Sequence, residues 1–397
     1  MPISAKMAGM MERSSWIRRM FEEGERLSAE LGRENVFDFT LGNPTGEPPR
    51  EVRDELARLA NEGKAGVHRY MPNAGLPEVR RKIAEHLARE SGELFGQQNV
   101  IMTVGAGGAL NVIMKALLDP GDEVAIFAPY FAEYVFYVDN HQGKAVVVET
   151  DGDFQIDVGA LDRAVGAKTR VIVLNSPNNP TGAVYPESAL KAVAQIADEK
   201  SRIHGRPVYI VMDEPYRKLT YDNAVVPNIF KVSNRVITAT SHSKDLNLPG
   251  ERIGHIAIHP GMQSAGRVFD AMTMSNRILG FVNAPALFQR LVAGFQDTPP
   301  QMDVYAANRR ILLDGLASAG YRVTAPMGGF YIFARSPVED DVAFAGILKK
   351  RNILVVPGVG FGRKGHFRIA FCCGTEQCKR AIPGFKSAME EALSLSL

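Results

Sequence analysis

Short apolar, β-branched runs recur along the chain with polar or helical stretches between most of them. Residues 100–104, 123–127, 144–149, 170–174, 208–212 and 235–240 each read as a strand, those at 100–104 and 235–240 as buried ones. Strands spaced this way, with helical periodicity between them, predict an α/β fold on a mostly parallel sheet. Residues 255–259 add a further strand, and long helical stretches follow to about Leu316. An early helix is expected from a Ser14-Ser15 cap to about Leu31, with Trp16, Met20 and Leu27 among its apolar positions. Others are expected over 78–90 and from Gly105 to about Leu118. From Pro326 the pattern changes to a smaller α+β part, with extended runs near 353–362 and 366–371 and a last helix near 376–392.

Size and charge narrow the class. A chain of 397 residues has room for two domains and a large core. With 45% hydrophobic and 23% charged residues it reads as an ordinary soluble globular protein. A formal net charge of +2 gives no reason to expect nucleic acid or an anionic membrane as partner. The N-terminal stretch has no signal-peptide apolar run, and nothing approaches a membrane span. Cys372, Cys373 and Cys378, without histidines at metal-ligand spacing, suit reduced thiols in a cytoplasmic protein. No metal site is expected.

The chemistry gathers where strands end. In an open α/β sheet, ligands bind outside the carboxyl ends of the strands. The 100–104 strand runs into Gly105-Ala-Gly-Gly-Ala, so the N–H groups of Ala106 and Gly107 open a helix and can face a phosphate. Glycines there also serve close packing, and the run is neither a dinucleotide fingerprint nor a Walker loop. The next strand ends at Ala128-Pro-Tyr-Phe131, whose ring suits either the core or a flat ligand. The 170–174 strand leads into Asn175-Ser-Pro-Asn-Asn-Pro-Thr-Gly182, a stiff loop able to aim the Asn179 amide into a pocket. Asp213 closes an apolar strand, where a carboxylate is costly unless paired; a protonated pyridine nitrogen would suit it, and Tyr216 follows three residues on. The last of these strands ends in Ser241-His-Ser243-Lys244, with Arg252 eight residues further. A lysine flanked by hydroxyls and a guanidinium fits an imine-forming amine beside a phosphate. Three more residues stand apart. Gly42 is a turn former or a point of close backbone approach. Tyr70 sits in a loop, as packing or as a donor to an anion. Arg368 lies between apolar strand neighbours and wants an anionic partner, either a substrate carboxylate or an internal acid.

Taken together, Ser-His-Ser-Lys with Arg252, Asn179-Pro-Thr-Gly182 and Asp213-Glu-Pro-Tyr216 resemble the fold type I pyridoxal phosphate aminotransferases, the family around aspartate aminotransferase. The resemblance spans essentially the whole chain. It implies a large domain over 47–290 with a seven-stranded mostly parallel sheet, and a discontinuous small domain from 1–46 and 291–397. It implies pyridoxal 5'-phosphate in a Schiff base on Lys244, with Asp213 on the pyridine nitrogen, Asn179 and Tyr216 on the ring oxygen, and Phe131 stacked on the ring. Phosphate would meet Ala106, Gly107, Ser241, Ser243 and Arg252, and Tyr70 from the neighbouring subunit of a homodimer. Arg368, with Gly42, would take the α-carboxylate of an amino acid. The implied reaction moves an amino group to a 2-oxo acid by ping-pong turnover; a β-lyase or other Cα chemistry is the alternative, because the cofactor shell is shared. The glycine-rich loop lacks the lysine that some aspartate-specific relatives carry there, and Arg277 is only loosely placed as a clamp for a second carboxylate.

Overall fold

The computed structural model describes residues 2–12 and 16–395. Its strands are β1 (Phe37–Asp38), β2 (Val100–Thr103), β3 (Glu123–Ala128), β4 (Lys144–Glu149), β5 (Thr169–Asn175), β6 (Tyr209–Asp213), β7 (Val236–Ser241) and β8 (Gly254–Ile258). After a run of helices come β9 (Tyr331–Arg335), β10 (Ile353–Leu354), β11 (Val356–Pro357) and β12 (His366–Ala370). The expected elements therefore form within a few residues of their predicted bounds. The Ser14-Ser15 cap lies outside the described residues; the described helix runs Trp16–Leu31.

β2 to β8 make one seven-stranded sheet in the order β2-β8-β7-β6-β5-β3-β4. β8 is antiparallel to both β2 and β7, and the other neighbours pair in parallel. The reversal has a local cause: β7 and β8 are joined only by the loop 242–253 with a single 3₁₀ turn, whereas a parallel return normally needs a helical crossover. Because β8 is flanked by two antiparallel contacts, β2 points the same way as β7. The glycine-rich turn, Asn175, Asp213 and Ser241 therefore all emerge on one edge. Successive strand residues feed opposite faces: Val124, Ile126, Val171, Val173 and Val211 pack into one layer, Ala125, Phe127, Ile172, Leu174 and Ile210 into the other. Burial on both sides explains why these strands read as continuous apolar runs rather than alternating ones.

The second sheet is smaller and antiparallel, in the order β11-β12-β9. It packs with Phe344, Leu348, Phe385 and Leu312 from three helices. β1 pairs in parallel with β10, Phe37 against Ile353, so the N-terminal segment joins this C-terminal part. The two parts meet at Gly182, whose φ is +70°. The Met327 and Gly328 amides both donate to its carbonyl, at 2.9 and 3.0 Å. A Cβ there would stand 2.3 Å from Pro326 Cβ, so only glycine permits the approach. All three cysteines are buried free thiols. Among the described residues no helix is long and apolar enough to cross a membrane.

Candidate active site

A cleft of about 290 Å³ opens where the strand ends face the smaller sheet. Gly42, Ala106, Gly107, Phe131, Asn179, Asp213, Tyr216, Ser241, Ser243, Lys244, Arg252 and Arg368 all line it.

At one end, the helix Gly105–Leu117 begins directly after β2 and presents its free N–H groups. Gly254, the first residue of β8, sits between Thr103 and Ser241. A Cβ on it would fall 2.2 Å from Thr240 O and 3.1 Å from Gly105 Cα. Its missing side chain lets the glycine turn close on the Ser241 strand end. Arg252 then folds over Gly105, where a Cβ would lie 2.9 Å from Nη2. Arg252 itself has φ +50°, a left-handed conformation that costs a non-glycine residue roughly 1 kcal/mol or more and tends to mark functional turns. Backbone donors, two hydroxyls and a guanidinium thus converge on a concave anion site.

In the middle of the cleft lie the buried carboxylate and the lysine. Tyr134 donates to Asp213 Oδ2 at 2.5 Å, while Oδ1 is buried with no partner. Burial pushes the Asp213 carboxyl up to about 7, against the opposing pull of the Tyr134 hydrogen bond. Asn175 ties two predicted residues together: its Nδ2 donates to Asp213 O at 2.8 Å and its Oδ1 accepts from Asn179 N at 2.7 Å. Lys244 Nζ donates to Gly42 O at 2.6 Å, and burial brings its pKa down to about 8. Gly42 is a close approach rather than a bare turn, since a Cβ there would lie 1.8 Å from the Tyr331 hydroxyl. Phe131 meets Tyr134 edge-on, centroids 5.5 Å apart.

At the far end Arg368 is 2% exposed. Its Nη1 donates to Asn179 Oδ1 at 2.9 Å and its Nη2 to Thr40 O, while Nε is buried without a partner. Among the described residues it pairs with no carboxylate, so the internal salt bridge left open by the sequence does not form. Tyr331 and Phe361 flank its guanidinium at 4.6 and 4.7 Å. The Tyr216 and Tyr331 hydroxyls share a hydrogen bond of 2.9 Å.

Two expected residues lie elsewhere. Tyr70 is 92% exposed and sits beside His68, Phe281 and Asn283, outside this cleft. Arg277 is exposed on the helix Ala265–Ile278 and does not line the cleft. Conversely, Tyr134, Tyr137, Asn175 and Tyr331 belong to the site without having been singled out. Asn175 and Tyr331 had positional signals, one at a strand end and one after a Gly-Gly turn. Tyr134 and Tyr137 lie within the short helix Tyr134–Asn140, where aromatics read as core.

Comparison with known proteins identifies the family and the fold. The family described as aminotransferase class I and II matches residues 34–384. A probable aspartate/prephenate aminotransferase of Thermus aquaticus is 33% identical, the match covering 91% of this chain and 94% of that protein. The aspartate/prephenate aminotransferase of Thermus thermophilus is 32% identical over the same shares. An amino transferase crystal structure from Eubacterium rectale superposes with a TM-score of 0.95 at 36% identity, covering 98% and 99% of the two chains. Thermus thermophilus aspartate aminotransferase with maleate gives 0.86 at 29% identity, covering 97% and 99%. With that match running almost end to end and the relatives and structural neighbours agreeing, the chain belongs to the class I and II aminotransferases and is an aminotransferase enzyme.

Proposed function

We propose that the chain transfers an amino group between an L-amino acid and a 2-oxo acid by ping-pong turnover, with pyridoxal 5'-phosphate held on Lys244. The observation that carries the reading is Asp213: a buried carboxylate with one oxygen bonded to Tyr134 and the other without a partner. A ring N–H⁺ is the complement such an oxygen needs, and its positive charge would return the carboxyl to its ionised form. The remaining residues fit the same group. Ala106 and Gly107 N–H, Ser241, Ser243 and Arg252 suit its phosphate, Phe131 its ring face, and Asn179 and Tyr216 its ring oxygen. When bound, the cofactor supplies a reactive aldehyde and an electron-accepting ring.

The chain's own residues supply the rest. Burial holds Lys244 Nζ near 8, so a substantial fraction is neutral at mildly alkaline pH and can act as nucleophile and as proton carrier at the substrate Cα. Arg368, steadied by Asn179 and Thr40 O and carrying no protein counter-ion, is suited to a substrate α-carboxylate bound in a bidentate fork. It is buried between Tyr331 and Phe361, and burial strengthens that attraction. The activities named for the relatives favour amino transfer over β-lyase chemistry. They also name aspartate and prephenate as substrates of those proteins.

We further propose a homodimer with shared sites, in which exposed Tyr70 serves the partner's phosphate, and a division into domains at 47–290 and at 1–46 with 291–397. The separate cores of the two sheets and the β1–β10 pairing support that division. Cytoplasmic location accords with the free thiols. The test of the cofactor reading is reduction with borohydride followed by mass spectrometry: a pyridoxyl adduct on Lys244 is expected, and an adduct on any other lysine would overturn it. A panel of amino donors against 2-oxoglutarate and pyruvate, read as new amino acid formed, tests the reaction.

A further inference from the structure

Arg322 and Arg335 face each other directly across adjacent extended segments. Val323 bridges Ala334 in antiparallel fashion, and Arg335 N donates to Arg322 O at 3.1 Å. On the other side Arg335 is opposite His366 in the β9–β12 register. The row Arg322–Arg335–His366 thus crosses two strands and the extended segment beside them on one face. All three line a cleft of about 830 Å³, together with Arg363 and Lys364, that shares no lining residue with the active site.

The lining carries a single acid, Glu339. Arg363 is engaged by Glu149 at 2.6 Å from outside it. Arg322, Arg335 and Lys364 have no side-chain hydrogen bond or ion pair among the described residues. Like charges placed opposite each other on neighbouring strands destabilise a sheet. Among the described residues no carboxylate pairs with either arginine; what sets the two apart from other exposed arginines is that the strand register holds them opposite each other. The floor is aromatic and firm: Phe333 and His366 stack at 5.1 Å with planes 4° apart, and Phe154 meets both. Gly152 and Gly365 also line the cleft, and a Cβ at either would meet only open space.

We propose that this cleft is a second ligand site, which binds a small phosphate-bearing anion between Arg322 and Arg335 with Lys364 at its rim. An anion seated there turns the repulsion between the guanidinium groups into two attractions, and each planar fork matches phosphate oxygens in a bidentate manner. A single carboxylate would leave most of the positive charge uncompensated.

The experiment is calorimetric titration of pyrophosphate into the full chain saturated with pyridoxal phosphate, so that the active-site cradle is already filled. One site per chain is expected, weakening as salt is raised. Arg322→Ser and Arg335→Ser should each reduce affinity about tenfold or more, as loss of a charge-assisted bond implies. Without phosphate, Arg322→Ser should melt no lower than wild type, because a repulsion has been removed; a merely structural arginine would lower the melting point. Arg322→Lys, which keeps the charge but loses the fork, should fall between. A nucleoside diphosphate in parallel separates an organic phosphate from the inorganic one by its gain over pyrophosphate. No binding at millimolar pyrophosphate, unchanged affinity in both serine variants, or a lower melting point for phosphate-free Arg322→Ser would overturn the proposal. So would loss of binding in Arg252→Ser alone, which places the anion in the active-site cradle. The readout is binding heat and melting temperature, so it stands apart from the transamination reading.

Discussion

Tyr134 donates its phenolic hydrogen bond to Asp213 Oδ2 at 2.5 Å, so only one oxygen of that carboxylate is left to meet a ligand. The phenol therefore both fixes the carboxylate's rotation and favours its ionised form. Tyr134→Phe should weaken cofactor binding by about tenfold, the scale of a hydrogen bond to a charged group. Fluorescence titration of pyridoxal phosphate checks it, and unchanged affinity would remove Tyr134 from the site.

Asp213→Ala should cost far more in turnover than in binding. Its charge acts on a ring that becomes electron-rich only as the reaction proceeds, so the loss falls on kcat, by on the order of 10²-fold or more. A variant with near-normal kcat would refute the role.

Stability of the cofactor-free chain should depend on pH through the same residue. Burial raises the folded-state pKa of Asp213 to about 7, above its unfolded value. The native state then binds a proton that the unfolded state has released, and stability falls as pH rises between the two values. The span corresponds to a few kcal/mol at most. Asp213→Asn should flatten that slope and melt higher than wild type at pH 8; a parallel melting profile for the two proteins would contradict the raised pKa.

Tyr70→Phe should loosen the cofactor by one to two decades if its phenol donates to a phosphate, a bond worth roughly 1.5–3 kcal/mol. Its 92% exposure within one chain is what a residue serving a neighbouring subunit requires. If the sites are shared as proposed, mixing Tyr70→Phe chains with Lys244→Ala chains places intact Tyr70 and Lys244 around one site of the heterodimer. Wild-type affinity at that site is expected; affinity as weak as in the Tyr70→Phe homodimer would confine Tyr70 to its own subunit.

Neutral or aromatic amino donors should be used at least as well as aspartate. Beyond Lys244 and the phosphate-end Arg252, Arg368 is the cation that lines the cleft, and a second carboxylate without a partner there is costly. Comparing kcat/KM across donors checks this. A wide preference for aspartate, abolished by Arg277→Ala, would reverse the expectation and bring Arg277 into the site from outside the cleft.

Much of this was legible from the chain because the chemistry is concentrated at strand ends. A buried strand announces itself by composition, so the residue that closes it is located too. Asp213 closes its strand, and Asn179 and Lys244 follow theirs by a few residues, so each was placed at the cleft in that way. Arg368 was found by the opposite signal, a charge among apolar neighbours, yet the sequence left its partner undecided; the answer depended on Asn179 and Thr40, each far away along the chain. Tyr134 escaped because a tyrosine on a short helix looks the same whether its hydroxyl meets solvent or a carboxylate 79 residues on. The antiparallel course of β8 escaped too, since direction depends on where the loop after Lys244 returns rather than on the composition of the strand.

Gly182 sets a mechanical limit. Its carbonyl takes both the Met327 and Gly328 amides, and its missing side chain lets Pro326 sit against it. Asn178, four residues before, accepts from the Gly182 amide, and Asn179 is tethered to Asn175 at the sheet edge. The loop that presents Asn179 and the turn that leads to Tyr331 are therefore one rigid piece, fastened to the end of β5. A closing of the cleft that keeps these bonds would pivot about this weld instead of across it, leaving travel to the N-terminal segment that carries Gly42. Amide exchange should be slow at Met327 and Gly328 and faster along residues 40–48, and equal rates would deny that the wall carrying the carbonyl met by Lys244 is the freer one.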